Sequence, residues 1–415
     1  MNYSIKQLIY LFVAIANIVQ SYGQSAWPST TWSNATNISS ALPANTPELS
    51  GLYWNNDTNR LYCIGDGGAI YILQYNIITN QYTILGSNTS IGGPEGITQV
   101  NNAANEFYTI DENNYEIRKY TYDNNFSSIT KSKKWNILLL PSPMTDTGNT
   151  GPEGIAFVPD SYLQKKGFVS SVTGLATNSA KGMGGLIFIA HQDGGYIWVF
   201  DVNPNVNNDF AYVGKYKTNR SESCDLAFDR STGLLYVLHN IDDNYLEVTD
   251  LTTSIVSGEY KMKTVKEYFI PNPSGSNNIE GLAISPKYPL NTSYGAWLCR
   301  DVSNAPETAD ALSWFYPFTA EGSDIRTEVP DIINAVDDYS IFPNPIHDEL
   351  TVSSFQSDAK LYSVQVCSTI GKLLVEKDNI NFPVTINLKH LKSGIYLLKI
   401  LSNNELKAIK TLIKK

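Results

Sequence analysis

The sequence predicts an all-β protein: a five-bladed β-propeller followed by a small C-terminal Ig-like β-sandwich. Three observations carry this. One phrase recurs, Gly93-Pro94-Glu95-Gly96-Ile97 returning as Gly151-Pro152-Glu153-Gly154-Ile155, with looser copies at Asn278-Ile279-Glu280-Gly281-Leu282, Ser223-Cys224-Asp225-Leu226-Ala227-Phe228 and Leu49-Ser50-Gly51-Leu52-Tyr53. Each copy opens a short apolar run and further runs follow it, as in a repeat architecture. From Tyr339 onward the character changes, with more Lys than Asp and Glu and a new set of short strands.

Each repeat divides into β-type runs separated by turn residues. The first has Gly51–Trp54, Arg60–Ile64, Ala69–Leu73 and Tyr82–Leu85, with Asp66-Gly67-Gly68 as a turn. The second has Gly96–Thr98, Glu106–Ile110, Tyr115–Tyr120 and Trp135–Leu138, and the third Ile155–Phe157, Leu186–Ala190, Tyr196–Phe200 and Ala211–Val213. The fourth has Leu226–Phe228, Leu234–Leu238, Tyr245–Val248 and Val265–Phe269. The fifth has Leu282–Ile284, Ala296–Cys299 and Leu312–Tyr316, and lacks an evident fourth strand. Four strands per unit and five units predict five blades over residues 45–320. Residues 24–44 form a lead-in, and the stretch Ala26–Ile38 is placed to supply the missing outer strand. Six blades remain open if a long insertion hides a degenerate one. The insertion at 159–184 reads equally as a rim or lid and as a surface excursion.

The flanks are read from composition. Residues 1–23 have the pattern of a secretory signal, with Lys6, an apolar core over Leu8–Val19 and small residues at Ser21 and Gly23. No later stretch is long enough to span a bilayer. A net charge of −10 over 415 residues argues against a nucleic-acid partner. Cys63, Cys224, Cys299 and Cys367 form no framework; they read as small buried hydrophobes, and a bridge between Cys63 and Cys299, in blades that become neighbours on closure, is the lesser alternative. Polar, acidic residues 321–338 read as a linker.

Two resemblances follow from particular residues. Ile341-Phe342-Pro343-Asn344-Pro345, Ile370-Gly371-Lys372, Leu388–Tyr396 and the final Lys414-Lys415 resemble the type A sorting domain of the type IX secretion system, over residues 339–415. That resemblance implies a Bacteroidota host, passage across the outer membrane by the type IX machinery, and a secreted or cell-surface product. Leu49–Trp54, the two Pro-Glu-Gly-Ile phrases and Ile279–Ala283 resemble the SdiA-regulated group of five-bladed propellers, which is related to NHL-repeat propellers. That second resemblance implies bound calcium. The esterase-like domain of phytases has similar phrases at its strand starts. Blade four departs from the pattern, with Cys224-Asp225 where the others have Glu-Gly.

Propeller geometry gathers the motifs. Innermost strands start at one face, and the turns between second and third strands lie there too. Glu95, Glu153 and Glu280 therefore share a face with Asp66, Asp111-Glu112, His191-Gln192-Asp193, His239–Asp242 and Arg300-Asp301, and Glu222 points the same way. Clustered carboxylates repel unless a cation offsets them, and Ca²⁺ takes oxygen ligands. The metal candidates are Glu95, Glu153, Glu280, Asp66, Asp111 and Glu222. Pairing with Arg220 or Arg300 is an alternative, and so is a purely structural role in which each Glu caps backbone N–H groups. Two functions compete. One is a binding module with structural calcium that holds a protein or glycan ligand. The other is a metal-dependent phosphoesterase or esterase in which His191 or His239 moves protons and Arg300 clamps phosphate. Sparse basic residues on the face favour binding over a phosphate-ester substrate.

Overall fold

The computed structural model describes residues 25–415 apart from 44–45, 47, 77–78, 125, 242, 274–277, 287–294, 302–310, 321–338, 355–360, 369–371 and 403–404. The signal and linker assignments lie outside the described residues. The chain divides into two compact units, Met1–Ser323 and Asp324–Lys415.

The first unit is built of four-stranded antiparallel sheets, five among the described residues. Sheet one is β2 (Gly51–Asn55), β3 (Arg60–Gly65), β4 (Ala69–Asn76) and β5 (Gln81–Asn88). Sheet two is β6 (Pro94–Thr98), β7 (Glu106–Asp111), β8 (Glu116–Tyr122) and β9 (Ile129–Asn136). Sheet three is β10 (Pro152–Pro159), β11 (Gly185–His191), β12 (Tyr196–Val202) and β13 (Phe210–Lys217). Sheet four is β14 (Asp225–Asp229), β15 (Leu234–His239), β16 (Tyr245–Val256) and β17 (Glu259–Phe269). Sheet five is β18 (Ile279–Ile284), β19 (Ala296–Arg300), β20 (Leu312–Phe315) and, on its outer edge, β1 (Thr36–Asn37). The missing fourth strand is thus supplied from the lead-in, with Thr36 opposite Trp314 and Asn37 opposite Ser313.

Inner strands read as continuous apolar runs because both their faces are covered. Every residue of β11 and β15 is buried, whereas β9 and β5 are largely exposed. Each sheet shares one apolar core with the next. Ile64 and Ile72 meet Ile97 and Phe107, and Ile110 and Trp135 meet Ile155 and Phe200. Phe188 and Val199 meet Leu226 and Val237, and Leu238 and Leu246 meet Leu282 and Phe315. The fifth core joins sheet five to sheet one, where Trp54 stacks on Trp297 with ring centroids 4.5 Å apart. First strands follow the same cycle, β2 packing on β6, β6 on β10, β10 on β14, β14 on β18 and β18 on β2. The arrangement is consistent with a propeller.

Two alternatives left open by the sequence are decided by the structure. Cys63 and Cys299 are free, buried thiols rather than a bridge, and the Cys299 thiol donates to the Leu49 carbonyl at 3.4 Å. The 159–184 insertion is a packed brace rather than an excursion. It opens with α1 (Asp160–Lys166), buries Leu163 and Phe168 fully against sheets three and four, and ties down through Ser170 Oγ donating to the Val213 carbonyl at 2.6 Å.

The second unit has a three-stranded sheet, β21 (Tyr339–Phe342), β22 (Glu349–Ser354) and β25 (Val384–Asn387), and a four-stranded one, β23 (Tyr362–Ser368), β24 (Leu373–Ile380), β26 (Gly394–Ser402) and β27 (Glu405–Lys414). Leu350, Val352 and Ile386 of the first sheet share a core with Val364, Val366, Leu398 and Leu412 of the second.

Candidate functional site

The recurring phrase has a packing reason. A Cβ on Gly51 would meet the Glu95 carbonyl at 2.6 Å, and one on Gly96 would meet the Glu153 carbonyl at 2.6 Å. One on Gly154 would lie 2.4 Å from Asp225 Cα, and one on Gly281 would reach Gly51 Cα at 3.1 Å. First strands therefore close on one another at a ring of four glycines and Asp225, and the residue before each glycine is held at one end of that ring.

Three of those preceding residues are the glutamates. Burial first, then nearby carboxylates, push their carboxyls up: Glu95 to about 7, with Asp66, Glu112 and Asp111 beside it. Glu280 rises to about 8, with Asp301, Glu95 and Asp66 beside it. Glu153 is pushed well above the ordinary range by burial, then by Glu95, Glu112 and Glu280. Glu48 joins the group, its carboxyl raised first by Asp301, then by burial and Asp66. The structure thus brings Glu95, Glu153, Glu280 and Asp66 together with Glu112 and Asp301, which the sequence places on the same face, and adds Glu48. Glu112 was legible as a turn neighbour of Asp111, whereas Glu48 has no counterpart in other repeats and left no signal.

Capping of backbone N–H groups falls to other carboxylates. Among the described residues no backbone N–H is hydrogen-bonded to Glu95, Glu153 or Glu280. Instead Glu112 Oε1 accepts from Gly151 N at 2.9 Å, and Asp225 accepts from Leu226 N and Leu282 N at 2.7 Å each. Asp111 is committed elsewhere, paired with Arg118 and accepting Asn114 N at 2.9 Å and Gly93 N at 3.3 Å. Arg220 is paired with Glu267 at 2.5 Å and lies over the Tyr245 ring. Arg300 is buried at the end of β19.

Glu222 and the histidines stand apart from this cluster. Burial raises the Glu222 carboxyl, opposed by His239, whose Nδ1 lies 2.6 Å from the Glu222 carbonyl. His239 is fully buried, with Nε2 3.3 Å from Glu247. Burial works against charge on Glu247, but His239, the Thr264 hydroxyl at 2.6 Å and Asn219 N at 2.9 Å hold its carboxyl below the ordinary range. His191 packs between Tyr115 and Trp198 with both ring nitrogens unpartnered, and burial pushes it down to about 4.

An oxygen-rich, acidic set is what a hard cation requires. Two buried oxygens at this end, Ser50 Oγ and Asp301 Oδ1, have no hydrogen-bond partner. The Ser50 hydroxyl is near enough to ease the Glu95 charge without being aligned to it. The donor chemistry fits Ca²⁺. Among the described residues no three His, Cys, Asp or Glu side chains already stand as a metal site, so a cation would have to gather them.

Comparison with known proteins identifies the second unit. Residues 340–415 match the secretion system C-terminal sorting domain family. This domain directs export through type IX secretion to the cell surface or the extracellular space, and implies contact with that machinery. Among the described residues no helix is long and apolar enough to cross a membrane. Deleting residues 339–415 should leave the protein in the periplasm; cell fractionation that finds the truncated chain in the medium would refute the assignment. No curated protein matches the chain. Solved structures similar to parts of it include hydrazine synthase of Kuenenia stuttgartiensis, 12% identical with a TM-score of 0.32, covering 63% of this chain and 65% of that one. The mitotic checkpoint complex is 10% identical with a TM-score of 0.33, covering 66% and 76%. Raptor of Chaetomium thermophilum is 12% identical with a TM-score of 0.34, covering 91% and 28%. The chain spans less than two thirds of the length of the first and third, and likeness this distant bears on neither chemistry nor ligand.

Proposed function

We propose that the first unit is a five-bladed β-propeller, akin to the SdiA-regulated group, that serves as a secreted or surface-held binding module. It holds Ca²⁺ where Glu95, Glu153 and Glu280 converge, and presents a rim to a protein or glycan. The observation that carries this reading is the absence of backbone N–H bonds to those three carboxyls, whose strongest neighbouring charges are other carboxylates. Ca²⁺ bound there would supply the charge that lets them ionise together.

Phosphoester hydrolysis is not favoured. His191, His239 and Arg300 are all buried at the ends of strands, so none of the three is exposed to a substrate.

Chelation is the test. A cation that binds only the folded state stabilises it by mass action, on the order of 2.7 kcal/mol at about 100 times its dissociation constant. EDTA should therefore lower the melting temperature, and Glu153→Gln should abolish most of that difference. Less than about a tenth of an equivalent of divalent metal after re-exposure to calcium, with melting indifferent to EDTA, would rule the reading out.

A further inference from the structure

The far ends of the first strands, opposite the acidic cluster, enclose a cavity of about 240 Å³. Its walls include Tyr53, Phe157 and Phe228, with Arg230 among them. Arg230 is half-buried. Its Nη2 donates to the Gln99 carbonyl at 2.6 Å and the Val100 carbonyl at 3.1 Å, and its guanidinium lies 5.5 Å from the Phe157 ring centre. The insertion fixes it from behind, since the Tyr162 hydroxyl donates to the Arg230 carbonyl.

This guanidinium has spare capacity. A guanidinium has five N–H donors and stays charged at any physiological pH. Among the described residues Arg230 has no carboxylate within ion-pair distance, and its Nε and Nη1 hydrogens have no acceptor. Asp229, next to it, is occupied by Ser231 N at 2.7 Å, Ser231 Oγ at 2.6 Å and Thr232 Oγ1 at 2.9 Å. A cation held in an aromatic-walled cavity by two backbone carbonyls, with no carboxylate in contact with it although Asp57 and Asp229 share the wall, keeps N–H donors free for an anion.

We propose that this cavity is a binding site for a small organic monocarboxylate with an aromatic or apolar body, its carboxylate on Arg230 and its body against Phe157 and Phe228. A single charge is favoured over a phosphate dianion because Asp57, exposed in the same wall, adds repulsion with each further negative charge. The site is distinct from the calcium reading, and EDTA should leave it unchanged.

Calorimetric titration of the full chain with phenylacetate, 2-phenylethanol and phenyl phosphate tests this. Phenylacetate should saturate one site, and the neutral alcohol should bind at least about tenfold more weakly. Phenyl phosphate should also be the weaker ligand. Arg230→Gln should cut phenylacetate affinity about tenfold or more. Because that change also removes the bonds to Gln99 and Val100, the exposed Asp57→Asn provides a second reading: it should tighten phenylacetate and admit phenyl phosphate. No saturation by about 10 mM phenylacetate, or binding indifferent to both substitutions, overturns the proposal.

Discussion

Gly154→Ala should lower the stability of the first unit by about 3 kcal/mol or more, because overpacking against backbone has no flexible side chain to give way. The added Cβ would lie 2.4 Å from Asp225 Cα, 2.8 Å from its carbonyl carbon and 2.8 Å from Leu226 N. Relief requires β10 and β14 to separate, and each of those strands is held by the next around the cycle of first strands. In thermal unfolding the loss should appear as a melting temperature lower by about 5 °C or more. Gly96→Ala should behave alike, since its Cβ would meet the Glu153 carbonyl at 2.6 Å and Gly154 Cα at 2.9 Å. Gly67 has nothing within 4 Å, so Gly67→Ala should melt like the wild type. Equal melting of Gly154→Ala and Gly67→Ala would mean that the first strands do not meet as described.

That glycine marks how far the sequence reaches. The Pro-Glu-Gly-Ile phrase located the first strands because close backbone approach selects glycine wherever two strands meet without side chains between them. Inner strands were legible because both faces are covered, which leaves an uninterrupted apolar run such as Leu186–Ala190. β1 is two residues long and has no period of its own; only the missing partner of β20 pointed to it. Asp225 stood in the glycine's place in the repeats and read as a break in a carboxylate pattern, but nothing in the sequence showed that its carboxylate crosses to Leu282 N. Repeat alignment gives a residue's level in the ring and not the direction of its side chain. The same limit applies to His191, which read as a turn residue and is the buried last residue of β11. Arg230 left no local signal at all, because the carbonyls that hold it belong to Gln99 and Val100 in a distant part of the chain.

In the absence of calcium, stability should fall as pH rises from about 4.5 to about 8, the unfolded and folded values of the raised carboxyls. The carboxyls of Glu95 and Glu280 titrate near 7 and near 8 in the fold, against about 4.5 when unfolded, and Glu153 is raised with them. A raised carboxyl binds its proton more tightly in the folded state. Its contribution is fully present below the unfolded value and is lost as pH climbs through the folded one. For Glu280 alone the span corresponds to several kcal/mol. His191 acts in the opposite sense, because burial lowers it to about 4 against about 6.5 unfolded. It adds stability as pH rises between those two values and is silent above them, so the part of the fall above about 6.5 reports raised carboxyls without it, those of Glu222 and Asp225 included. With saturating Ca²⁺ the downward slope should flatten, since the ion takes the place of the protons. Glu280→Gln should reduce the slope without calcium, having removed one group that must ionise. Melting temperatures measured across this window, with EDTA and with calcium, check both statements. A flat profile in EDTA would show that the three carboxyls are already neutralised from within the fold, and the cation would then have no charge to balance there.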